Sequence, residues 1–268
     1  MTKEITLEKK VAVLNQMISQ EKINQLLYKY RADCENTKKI FTEHTIWFAY
    51  PECFEDIKDC MANIQSLDER GLNDLIEKTP MTNYEKEMCK KGAKSFNIDM
   101  LQESSNNVTR KRIGISCFCK TETSDEMWSK YSDDHKGMCL QFDVLKDPEL
   151  FTLAQPVNYV NKLPVYNHFT DRNELLNKVI LSKTNDWKFE QEIRVVKVPS
   201  EMKTEKDGQA FSFKPLSLKK VIFGYKAKKE TIDEYIKLCY QNGLDHVRFT
   251  QMYMENGSLK EKDIEKDI

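Results

Sequence analysis

Glycine, proline and histidine are scarce in this chain, with 8, 7 and 4 residues among 268. The sequence holds neither the Gly-rich loop that cradles phosphates nor the Gly-x-Gly-x-x-Gly turn of dinucleotide-binding folds. The histidines, at 44, 135, 168 and 246, are scattered, so no nucleophile and base can be paired from them. No apolar run approaches the roughly 20 residues of a membrane span. The opening "MTKEITLEKKVAVLNQMISQEKINQLL" lacks the continuous apolar stretch and small-residue cleavage site of an export signal. Charge of one sign is lacking too. The formal net charge is −1, which gives no overall electrostatic case for binding nucleic acid or a membrane surface.

What is present is enough apolar material for a core: 40% hydrophobic residues against 32% charged ones. Eight cysteines without framework spacing point to reduced thiols and a cytoplasmic protein, with chance matches to the glycosylation sequon at Asn107 and Asn256. No linker rich in Pro, Gly or Ser divides the chain, and no repeat is visible. The simplest expectation is one α+β domain over 1–268, a mixed or antiparallel sheet flanked by helices. Residues 1–25 would form an N-terminal helical extension, 61–110 a charged helical insertion and 255–268 a flexible tail.

Alternation predicts strands at 26–31 ("LLYKYR"), 45–51, 112–119 ("RIGISCFC"), 138–144 and 218–227, with a last strand at 246–253. In the first of these Lys29 and Arg31 share one face, and Tyr28 and Tyr30 the other. "TSDEMWSKYSDDHKG" starts a helix with a Thr123/Glu126 capping-box pattern and Gly137 as its stop. In 138–144, Met138, Leu140, Phe142 and Val144 would point inward and Cys139, Gln141 and Asp143 outward. Residues 171–183 and 228–243 read as helices, and 186–198 ("DWKFEQEIRVVKV") as one long strand.

Three groups of residues could carry chemistry. Cys117, Cys119, His135 and Cys139 could converge on a metal, but Cys-x-Cys in a strand is not a zinc knuckle, and no metal site is expected. Met127, Trp128 and Tyr131 sit at helical spacing, either as core or as an aromatic rim beside a pocket, with Asp133 to Lys136 at the helix end. Glu190, Glu192 and Arg194 would line one face of the long strand within about 14 Å, opposite Trp187, Phe189, Ile193 and Val195. That face is either solvated or a rigid platform on which Arg194 orients a carboxylate.

The segments "LYKYR" (27–31), "TIWFAYPECFEDIKD" (45–59), "SCFCKTETSDEMWSKYSDDHKGMCLQFD" (116–143), "WKFEQEIRVV" (187–196) and "LKKVIFGYKA" (218–227) carry a resemblance. Together they are similar to the motifs of the bacterial domain-of-unknown-function family numbered 2971. Two positions depart from that family's pattern. Phe54 to Asp59 stand where it has Phe-Asn-Asp-Pro-Phe-Asp, and Cys117-Phe118-Cys119 where it has Cys-Phe-Ser. The order of motifs also resembles the ADP-ribosyltransferase fold, especially nucleic-acid-modifying toxins.

That second resemblance implies an enzyme using NAD as substrate, a toxin or antiphage effector acting on a nucleic acid or protein. Glu192 would be the catalytic carboxylate, with Glu190 assisting the acceptor. Lys29 or Arg31 would meet the pyrophosphate, and Trp128 or Tyr131 would stack on nicotinamide. His135, Arg194 and Asp56 would complete the binding residues. The alternatives are a non-catalytic protein- or nucleic-acid-binding module of a defence or stress system, working with a partner protein, and a metal-dependent nuclease built on Asp56, Asp59, Glu190 and Glu192.

Overall fold

The computed structural model describes residues 6–64, 73, 76–78, 80–93, 106–107, 109–167, 171–203 and 206–264. Much of the expected insertion at 61–110 lies outside the described residues. Contacts divide the chain into two compact units: Met1–Ala49, Gly114–Val157 and Asp186–Ile268 form one, Tyr50–Ile113 and Asn158–Asn185 the other. The class is α+β, as the sequence predicts.

The first unit is built on a ten-stranded sheet. Its strands are β1 (Leu26–Arg31), β2 (Thr45–Ala49), β3 (Gly114–Cys119), β4 (Met138–Asp143), β5 (Ala154–Pro156), β6 (Glu192–Lys197), β7 (Gly208–Ser212), β8 (Leu218–Phe223), β9 (Arg248–Glu255) and β10 (Ser258–Asp263). The order across it is β7-β2-β3-β1-β4-β8-β9-β10, with β6 pairing β3 and β5. All pairs are antiparallel except β8 with β9. A parallel pair needs a crossover, and α5 (Lys229–Gln241) supplies it, burying Ile232, Tyr235 and Cys239.

Strand β3 is the branch point. Along one edge it pairs β6 over its whole length, from Gly114 with Lys197 to Cys119 with Glu192. Its other edge is shared by two strands, each through a single pair: Tyr28 of β1 with Cys119, and Ala49 of β2 with Ile115. Between those two pairs β1 and β2 diverge, leaving a fork at Ser116 and Cys117.

Both faces of the sheet centre are covered. The larger apolar cluster includes Leu14, Phe41, Phe118, Leu140, Phe142, Ile193, Val195, Val221 and Tyr235. The smaller includes Tyr28, Tyr30, Cys119, Met127, Trp128, Cys139, Ile222 and Met252. This corrects the inward–outward reading of 138–144: every residue of β4 is buried, because alternate side chains enter two different clusters. It also makes α1 (Leu7–Ser19) part of the larger core through Leu14 and Met17.

Three further expectations are overturned. Residues 186–198 are not one strand: Asn185–Glu190 forms a 3-10 helix, Gln191 adopts φ +43°, and β6 begins only at Glu192. The left-handed residue redirects the chain, so Glu190 does not share a strand face with Glu192 and Arg194. The expected flexible tail contains β10, paired with β9 from Thr250–Asp263 to Glu255–Ser258. Its turn is Asn256-Gly257, both at positive φ (51° and 76°), a pairing that two-residue hairpins favour. Helix α3 (Asp125–Tyr131) is capped by Ser124, whose hydroxyl accepts from Met127 N, rather than by Thr123.

In the second unit, Asn63–Ile64 pairs with Val165–Tyr166 and Asn158–Val160 with Ser182–Thr184, both in parallel, and Asn83–Ala93 forms a helix. The helix expected over 171–183 is instead a 3-10 turn at Arg172–Glu174, a π-helix at Leu176–Ile180 and the strand Ser182–Thr184. Among the described residues no helix is long and apolar enough to cross a membrane, and all eight cysteines are unbridged.

Candidate functional site

The fork in β3 collects polar groups from three stretches of chain. Lys29 of β1 reaches into it and donates to Cys117 O at 2.9 Å and to Ser116 Oγ at 3.0 Å. Its Nζ also lies 4.9 Å from the centre of the Phe118 ring. Among the described residues no carboxylate forms an ion pair with it. Burial, and then the Arg31 guanidinium, hold its pKa down at about 8.

Across β3 stands β6. Glu192 and Arg194 share one face of that strand and form a two-pronged ion pair: Nε donates to Oε1 at 2.8 Å and Nη2 to Oε2 at 3.0 Å. Arg194 is 0% exposed and Glu192 3%, so both charges are removed from water. Beside them the Cys117 thiol is pushed well up in pKa, by burial first and by the Glu192 carboxylate second. Cys119 is pushed up to about 11, mainly by burial. Both shifts favour the protonated thiol over the nucleophilic thiolate.

Glu190 ends the 3-10 helix just before β6. It is buried, and its Oε1 accepts a 2.5 Å hydrogen bond from Tyr131 at the end of α3. Its charge is also felt at Cys119, the ladder partner of Glu192. The two glutamates are therefore brought to one neighbourhood by a turn, and not by strand alternation. Arg31 is half-buried with its Nε on Thr37 Oγ1 at 3.2 Å, and it acts electrostatically on Lys29.

Trp128 is not a ligand platform. It is 0% exposed, donates Nε1 to Glu122 O at 2.7 Å, meets the Tyr30 ring edge-on at 5.2 Å and stacks with His135 at 6.2 Å. His135 is buried between Trp128 and Tyr225, at the end of three consecutive left-handed residues, Asp133 to His135. Both residues belong to the support of α3. Asp56 lies in the second unit, where its Oδ1 accepts from Lys58 N at 2.9 Å. Among the described residues no group of three or more His, Cys, Asp and Glu side chains could hold a metal ion.

The sequence reading missed Ser116, which it placed as a bland member of an alternating strand. The signal was absent, because the fork depends on where β1 and β2 part from β3.

His135 carries a pH prediction. Its pKa is lowered, by burial first, against the opposing pull of Asp125 and Asp134, with Lys226 adding to the lowering. The unfolded chain binds the proton more readily, so the contribution is full above the unfolded value of about 6.5 and is lost as pH falls through the lower folded value. Urea titrations at pH 7.5 and 5.5 should show wild-type stability falling on acidification. His135→Asn, which tolerates the left-handed backbone, should lose less; equal losses would contradict this assignment.

Comparison with known proteins reaches one stretch of the chain. No curated protein and no solved structure matches the chain. One family model does, over residues 127–195, the span that runs from Met127 through Tyr131 and His135 to Glu190, Glu192 and Arg194: Protein of unknown function (DUF2971).

Proposed function

We propose that the chain is an ADP-ribosyltransferase-like enzyme that takes NAD as substrate and acts as an effector on a nucleic acid or protein. The observation that supports this most is the gathering of Lys29, Tyr131, Glu190, Glu192 and Arg194, from three separated stretches, around one buried branch of the sheet. Charged groups held this rigidly in low dielectric suit the stabilisation of a charged transition state.

In this reading the nicotinamide–ribose bond breaks, nicotinamide leaves, and an acceptor oxygen or nitrogen bonds to the ribose carbon. A carboxylate meets the positive charge that develops there. Both oxygens of Glu192 are engaged by Arg194. Glu190, oriented by Tyr131, would face that charge and take the acceptor's proton. Lys29 and Arg31 lie on one side of β1 and would meet the pyrophosphate.

The test is nicotinamide release by purified protein. Wild type should cleave NAD, and Glu190→Gln should lower the rate by about a hundredfold or more with an unchanged circular dichroism spectrum. Folded wild-type protein that neither binds nor cleaves NAD would overturn the proposal. It would favour the non-catalytic module, a reading to which the complete burial of the Glu192–Arg194 pair also lends support.

A further inference from the structure

We propose that Lys29 is a reactive amine that captures small carbonyl compounds bearing an anionic group, forming a Schiff base at the fork of β3. This does not depend on the NAD reading. The Nζ of Lys29 sits between two acceptors. Ser116 Oγ and Cys117 O are its only hydrogen-bond partners among the described residues, and both sit on the same strand. The carboxylate that acts on it electrostatically, on Glu192, is held by both prongs of Arg194.

An ammonium removed from water without a counter-ion is costly, whereas a neutral amine satisfies the same two acceptors with its two N–H groups. That arrangement leaves the nitrogen lone pair unshared and the amine fixed in direction. The groups that act on it are Arg31 on its own strand, Cys117 on β3 and Glu192 on β6. Burial and Arg31 favour the neutral form, and together they outweigh Glu192. A lysine that is desolvated and beside a second cation is the known route to an amine nucleophile. Lys29 is half-buried, whereas its partner Ser116 is 1% exposed.

Arg31 suggests the rest of the ligand. It lies two residues on along β1, about 6.6 Å of strand away and on the same side. It donates Nε to Thr37 Oγ1, and among the described residues no carboxylate pairs with its guanidinium. A carbonyl compound with a carboxylate or phosphate three to four carbons from the carbonyl would bridge the two. The lone pair attacks the carbonyl carbon, the carbon–nitrogen bond forms, and the carbonyl oxygen leaves as water.

The experiment is reductive trapping of the whole chain with sodium cyanoborohydride, comparing succinic semialdehyde with uncharged butanal, followed by peptide mapping. At pH 7 an amine with a pKa of about 8 has a neutral fraction roughly 300 times that of an ordinary lysine. Allowing for lower intrinsic nucleophilicity, Lys29 should label at least tenfold faster than any other lysine, with half-maximal rate near pH 8. Succinic semialdehyde should outpace butanal at Lys29, and Arg31→Met should remove that difference and also lower the preference for Lys29, since the neighbouring cation is lost. Unfolding in urea should abolish the preference. Labelling of native Lys29 no faster than the surface lysines, or equal preference after unfolding, would overturn the proposal.

Discussion

Replacing Arg194 with Met should destabilise the protein by about 3–5 kcal/mol, read from urea denaturation followed by circular dichroism. The cost comes from what is left behind. Glu192 is 3% exposed and would lose the guanidinium that holds both of its oxygens. Against a typical stability of about 5–15 kcal/mol, that loss approaches unfolding. The double variant Glu192→Met/Arg194→Met should recover most of it, because two apolar side chains of similar length need no counter-charge. A single variant as stable as wild type would mean that the pair is solvated and that the buried polar centre is wrongly described. The same reasoning makes Glu192→Gln a poor probe of chemistry, since it removes a charge that the buried Arg194 holds through two hydrogen bonds.

The second large effect is expected at Trp128. Its complete burial, with the indole N–H on Glu122 O and the ring against Tyr30 and His135, makes Trp128→Ala a cavity-forming substitution costing about 3–5 kcal/mol. Trp128→Phe keeps part of the volume and should cost less. The opposite pattern, an alanine variant of unchanged stability that has lost ligand affinity, would restore the aromatic-rim reading. Thermal and urea unfolding of the two variants distinguish these outcomes.

Local pattern was a good guide where one element decides the outcome. Alternation in "LLYKYR" placed Lys29 and Arg31 together against Tyr28 and Tyr30, and each set keeps its own face in the sheet. Period 2 likewise put Glu192 beside Arg194, and they form the ion pair. It failed one residue earlier, because nothing in "KFEQE" shows that Gln191 turns left-handed and that Glu190 ends a 3-10 helix.

Alternation also cannot show whether the polar face of a strand meets water. Glu192 and Arg194 looked solvent-compatible and are buried, because α3 and the neighbouring strands cover that face. The Asn256-Gly257 turn, by contrast, was legible: it is a hairpin signal followed by "SLKEKD", whose charges suit a strand at the sheet edge. Composition alone made that segment look like a fraying tail.

The central claim is that the groups gathered at the branch of β3 transfer ADP-ribose from NAD. It is tested most directly by mass spectrometry of cells expressing the chain, searching proteins and nucleic acids for ADP-ribosyl adducts. The account predicts adducts with wild type and none with Glu190→Gln expressed as folded protein at the same level. Equal adducts from both proteins, or none from folded wild type, would contradict it.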